Sequence, residues 1–155
     1  MRRTALFLCA TLLLAAAGCD TPAAAPPATE ASGASVPVDP TAAWPEGRAF
    51  EATSVTESGA ERPLVAGTRL TVRFRAPGEL EAHAGCNYLG VRGHLEGARL
   101  VAGSMLSTAI GCASELLAQD RWVVDFFNAG PTWQVRGDEL TLRTPTTEIV
   151  LAASR

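Results

Sequence analysis

The sequence predicts a mainly β domain of the α+β kind: a strongly curved, barrel-like antiparallel sheet of about seven or eight strands with one packed helix. Three observations carry this reading. Apolar residues fall on every second position in several short runs, and turn residues separate those runs at hairpin spacing. One segment alone switches to a helical period.

The first clear strand alternates Leu70, Val72 and Phe74 with Thr71, Arg73 and Arg75, and the alternation resumes after Pro77-Gly78 at Leu80, Ala82 and Ala84. Keeping both apolar sets on one face sets Phe74 opposite Leu80 and Val72 opposite Ala82, around a turn at 76–78. The other face then brings Arg75 to Glu79 and Arg73 to Glu81. Exposed pairs of this kind add only about a few tenths of a kcal/mol, so they support register without driving folding.

Glu96-Gly97 reads as a turn joining a strand at 91–95 to one at 98–102. Ser114 is placed to cap a helix over 115–128, where Leu116, Val123 and Phe127, flanked by Leu117, Val124 and Trp122, form a broad apolar stripe. Gly130 and Pro131 stop it. A two-residue turn at Gly137-Asp138 then sets Val135 against Leu140 and Trp133 against Leu142, with Arg136 and Glu139 outside. A loop at 144–147 places Ile149 against Leu142 and Leu151 against Leu140. The helix should cover an open end or face of the curved sheet.

Ahead of this domain stand Arg2 and Arg3, an apolar run at 4–17 and small residues leading to Gly18-Cys19. The arrangement resembles a bacterial lipoprotein signal peptide over 1–18. That resemblance implies cleavage before Cys19, a diacylglyceryl group on its thiol and acyl chains such as palmitate on the new amine. Membrane contact would then run through the lipid on Cys19, at the extracytoplasmic face of the cell membrane. Residues 19–43 follow as a lipidated cysteine and a Pro/Ala-rich linker with almost no large apolar side chains, too poor to build a core. The folded domain occupies 44–153.

Removing 1–18 leaves 137 residues, enough for one core, with 11 basic residues against 16 acidic ones, a formal charge of −5. That balance excludes nucleic acid as an electrostatic partner. Of the four cysteines, Cys9 lies in the signal and Cys19 carries lipid, so Cys86 and Cys112 remain as a pair in an oxidising compartment. A disulfide between them would close a loop worth about 3.5 kcal/mol. Two buried thiols, or a metal site drawing on His83, Cys86, His94 and Cys112, are the competing readings. The cluster lacks the paired short spacings of zinc sites, and neither metal nor cofactor is expected.

Catalysis finds no footing in the sequence. His83 and His94 stand in no nucleophile-elbow or HExxH setting, and Asp120 and Asp125, five apart on the helix, do not share a face. Gly59, Gly67 and Gly78 are isolated turn residues, not a phosphate-cradling loop.

Two segments carry a further resemblance: Ala84-Gly85-Cys86-Asn87-Tyr88-Leu89-Gly90, and Leu106-Ser107-Thr108-Ala109-Ile110-Gly111-Cys112. Together with the helix bearing Trp122 and the closing Asp138-to-Leu142 hairpin, they resemble the META domain family, whose HslJ-like members are envelope lipoproteins. The resemblance implies a small barrel-like sheet with one helix, often lipid-anchored and tied to envelope stress, drug tolerance or secretion, with no established reaction. The motif residues Gly85, Cys86, Asn87, Gly90, Ser107, Thr108 and Cys112 read as structural. Gly85 would allow close backbone approach, Asn87 would take a left-handed turn position or bond neighbouring backbone, and Ser107 and Thr108 would satisfy loose strand ends.

The expected function is therefore a non-catalytic interaction or envelope-stress module, meeting an envelope protein through a strand edge or loop surface. The alternatives are a small calycin-like barrel that binds an apolar ligand and a protease-inhibitor-like module. The inward set Phe74, Trp133, Leu140, Leu142, Ile149 and Leu151 is bulky enough to fill a small interior, which favours the interaction module.

Overall fold

The computed structural model describes residues 44–154; the expected signal peptide, the lipidated Cys19 and the linker lie outside the described residues. Nine strands and a helix follow in the order β1 (Ala49–Glu57), β2 (Ala60–Glu61), β3 (Thr71–Phe74), β4 (Glu79–His83), β5 (Tyr88–Glu96), β6 (Arg99–Ser107), α1 (Ser114–Asn128), β7 (Thr132–Arg136), β8 (Glu139–Arg143) and β9 (Thr147–Ala153). All pairings are antiparallel, in the spatial order β2-β1-β3-β4-β5-β6-β7-β8-β9, and β1 also pairs with β9. The sheet therefore curves round on itself into a ring-like form.

The hairpin registers read from the pattern hold. Val72 lies opposite Ala82 and Phe74 opposite Leu80. Trp133 faces Leu142, Val135 faces Leu140, and Ile149 and Leu151 face Leu142 and Leu140. Their inward side chains build the core with Phe50, Leu70 and Val91. Trp44 packs its ring on Phe74 and Trp133, at 5.0 and 6.1 Å between centroids.

The strand count exceeds the expected seven or eight because β1 and its two-residue offshoot β2 do not alternate legibly. The β1–β9 register shifts between Ala52 and Ser54, a bulge that puts Phe50 and Val55, five apart, on the same buried side. A second shift between Arg92 and Gly93 hides the full length of β5 and β6. Their connecting turn is Gly97-Ala98, one residue beyond the expected Glu96-Gly97, because Glu96 is already paired with Arg99.

Two local expectations need correction. The charged pairs are Arg75–Glu81 at 3.0 Å and Arg92–Glu79 at 3.2 Å, not Arg75–Glu79 and Arg73–Glu81. The backbone register is as expected, but arginine is long enough to reach diagonally, and β5 brings Arg92 directly opposite Glu79. Nor does Ser114 cap the helix: it is the first helical residue, Ala113 holds the cap position, and no side-chain cap bond forms. A residue already inside the first turn cannot reach back over the free N–H groups, and the Ser114 hydroxyl meets Glu115 instead.

α1 buries Gln119, Val123, Phe126 and Phe127. It covers the end of the ring where β1 and β4 finish and β5 starts. There Trp122 Nε1 donates to Glu57 at 2.9 Å while the Arg62 guanidinium sits 4.3 Å above the Trp122 ring. At the far end of α1, Arg99 donates to the carbonyls of Gly130 and Ala129 at 3.0 and 3.3 Å, placing a cation at the negative helix terminus.

Candidate functional site

The two signature segments meet at the start of β5. Cys86 and Cys112 are joined in a disulfide, with their Cα atoms 6.3 Å apart, so the turn before β5 is tied to the segment that enters α1. Gly85, just before, has φ +122, and a Cβ there would lie 2.5 Å from Thr68 Cγ2. That is the close approach expected of it, and both space and backbone conformation exclude any other residue.

Asn87 is the hub. Its Oδ1 accepts from Thr108 Oγ1 at 2.9 Å and from the Ile110 N–H at 2.8 Å, while its Nδ2 donates to Asp120 Oδ2 at 2.9 Å. Two donors on one side and a carboxylate on the other fix the orientation of the amide. The Asn87 backbone N–H also donates to Asp120 Oδ2, at 2.9 Å. Of the two expectations for this residue, bonding to neighbouring backbone is what it does. The left-handed alternative is not: Ser58 is the sole non-glycine residue with positive φ among those described.

Thr108 works as expected at a loose strand end, its hydroxyl accepting from the Tyr88 N–H at 3.1 Å. Ser107 does less, donating only to the carbonyl of Thr108 at 3.0 Å on an exposed surface. Gly90 has neither positive φ nor crowding, for a Cβ there would meet Leu106 O at an ordinary 3.8 Å. What its missing side chain does is leave a dent in the outer face.

Sequence reasoning missed the helix's contribution. Gln119 is 4 % exposed; its Oε1 accepts from the Val65 N–H at 2.7 Å, and its Nε2 donates to Thr68 Oγ1 at 2.9 Å and to the Ala84 carbonyl. Asp120 binds Asn87 as above. The signal was present: Gln119 and Asp120 fall between Leu116 and Val123 on the apolar stripe, where an unpartnered polar group would be costly. No buried side-chain polar atom lacks a partner among the described residues.

These groups knit segments together. The Thr108 hydroxyl is engaged on both sides, His83 stacks on Tyr88 with centroids 4.5 Å apart, and His94 pairs with Glu96 at 3.2 Å. The cavity beneath the hub, lined by Ala82, Ala84, Leu89 and Val123 among others, has a volume of about 10 Å³. That is room for a single water, not a ligand.

The sequence model of the META domain matches residues 45–155. The chain belongs to the META domain family. No curated protein matches it. Two solved structures are similar in fold. One, "NMR structure of the protein from Burkholderia xenovorans", has a TM-score of 0.60 at 16% identity over 88% of this chain and 97% of that one. The other, "NMR structure of the protein", has a TM-score of 0.54 at 18% identity over 69% of this chain and 89% of that one.

In this META domain the motif segments also border the surface that stands out. Tyr88, Leu106 and Ile110, 50, 73 and 51 % exposed, are the large apolar side chains left in solvent among the described residues. All three flank the hub. On the outer face Gly90 lies between Glu81 and Leu106, and Arg92 between Glu79 and Ser104. The dent at Gly90 is the floor of a groove of about 200 Å³ with Leu106 on one wall and Arg75, Glu79, Glu81 and Arg92 around it.

Proposed function

We propose that this META domain is a lipid-anchored, non-catalytic interaction module on the extracytoplasmic face of the cell membrane, which meets an envelope protein through its β5–β6 face. One observation carries the reading: the exposed large apolar side chains are gathered on the β5–β6 side, while the polar signature residues are consumed in internal hydrogen bonds. Exposed apolar residues grouped in this way mark surfaces that another molecule covers. Anchoring rests on the resemblance of residues 1–19 to a lipoprotein signal. The filled interior speaks against the apolar-ligand alternative.

The experiment is site-specific photocrosslinking in cells with a photoreactive side chain at position 106, and another at position 136 on β7 as the control. A discrete protein adduct from 106 and not from 136 supports the module. Equal, diffuse labelling from both positions would remove the surface assignment.

A further inference from the structure

On the outer face of the sheet, neighbouring arginines are matched to acids: Arg69 to Glu51 at 3.1 Å, Arg75 to Glu81 at 3.0 Å and Arg92 to Glu79 at 3.2 Å. Arg73 breaks the pattern. Glu81 lies opposite it on β4, but that carboxylate is taken by Arg75, and the exposed Arg73 side chain has no partner among the described residues. On its other side Arg73 faces Ala49 of β1, too small to fill the space between strands. Ala49 lines a cavity of about 410 Å³ with Gly47, Ala153, Arg48, Arg73 and Asp138. Arg48 is fixed there: its Nη2 donates to the Gly137 carbonyl at 2.8 Å and to Asp138 Oδ1 at 3.1 Å, and its guanidinium carbon lies 4.8 Å from the centre of the Phe50 ring. Both bonds use one nitrogen, so Nε and Nη1 keep their N–H groups without a partner among the described residues. The Asp138 side chain is 93 % exposed, and water screens its charge. Two guanidinium groups against one solvated carboxylate leave the cavity positive.

We infer that this cavity, between β1, β3 and the end of β9, is a binding site for a small organic anion whose carboxylate or phosphate group is shared by Arg48 and Arg73. Charge complementarity sets the class, because the planar guanidinium fork matches an oxyanion and Arg73 has no acid of its own. Arg48 is already held in one orientation, which lowers the ordering cost of using its remaining N–H groups. Volume sets the size: the cavity exceeds many times the roughly 30 Å³ share of one water, so a carbon skeleton fits beside the charged group, over Ala49 and Ala153. The formal charge of −5 on the chain after removal of 1–18 repels large polyanions and leaves this local positive spot to small ones. The site lies apart from the β5–β6 face and does not depend on that face having a partner.

The test titrates the full chain carrying Cys19→Ala, which stays in solution, with succinate and with glycerol 3-phosphate at fixed ionic strength, followed by amide NMR shifts. The expected result is a saturable shift confined to residues 47–49, 73 and 153–154 for at least one of the two probes, and the tighter probe tells carboxylate from phosphate. Arg73→Gln, at an exposed position that leaves folding intact, should weaken binding at least about tenfold through the loss of a charge-assisted contact. Arg121→Gln, which removes an equally exposed arginine from α1, should leave binding unchanged. Absence of saturation with both probes overturns the inference. Saturable shifts elsewhere, or equal weakening by the two substitutions, overturn it as well, since either result describes general attraction to surface charge.

Discussion

The carboxylate of Asp120 reaches from α1 to Asn87 and accepts from both its backbone N–H and its side-chain amide, each at 2.9 Å. One helical residue thus holds the turn that starts β5, and the same amide holds the strand end at Thr108 and Ile110. Asp120→Ala would leave a partly buried N–H and an amide without their acceptor, and should cost about 1–3 kcal/mol in chemical denaturation. Asp125→Ala, at an exposed position on the same helix, should stay within about 0.5 kcal/mol. Equal losses for the two would show that the Asp120 contacts contribute nothing.

Gly85 is irreplaceable for two separable reasons. Gly85→Ala imposes a strained φ of +122 and drives a Cβ to within 2.5 Å of Thr68 Cγ2. Gly97→Ala, at φ +60 with open space around it, carries the conformational cost alone, about 1 kcal/mol. Thermal denaturation should rank Gly85→Ala as clearly the more damaging, and Thr68→Ser should recover part of its loss by removing the methyl group. Failure of that partial rescue would place the cost in the backbone and in the 2.9 Å approach to the Thr68 Cβ that serine keeps.

The Cys86–Cys112 disulfide closes a loop of sequence separation 26, and replacing both cysteines by alanine should cost about 3.5 kcal/mol in the loop-entropy account. Denaturation curves with and without reductant should differ for the wild type and coincide for the double variant. A reductant-insensitive wild type contradicts this.

A packed interior predicts that lipophilic dyes find no saturable site in the native domain. Phe50, Leu140 and Leu151 are completely buried, and the cavity under the hub holds about 10 Å³. A fluorescence titration with saturation at one dye per chain would favour the apolar-ligand reading instead.

Anchoring through Cys19 predicts that Cys19→Ala moves the chain from the membrane fraction to the soluble one. Two or more acyl chains hold a protein stably where one does not, so the shift should be nearly complete. Retention in the membrane fraction would refute the anchor.

Hairpins with short turns were legible because strand alternation and turn length together permit only one register. Val72 against Ala82 and Trp133 against Leu142 needed nothing beyond local pattern. β1 was not legible, because its bulge shifts the buried positions from even to odd spacing between Phe50 and Val55. At the hub, the motif residues Gly85, Cys86, Asn87, Thr108 and Cys112 stood out as types suited to turns and crosslinks. Gln119 and Asp120 did not, since a polar residue in an apolar stripe declares a partner without naming it.

By itself, then, the sequence determined the antiparallel class, the local hairpins, the helix and which face of each short-turn hairpin strand turns inward, all of which follow from periods of two and 3.6 residues. The tertiary structure alone decided the closure of β1 on β9, the diagonal Arg75–Glu81 ion pair, the clasp of Asp120 on Asn87 and the packing of α1 against β6. These join residues distant in the chain, and local periodicity carries no information about which distant surfaces meet.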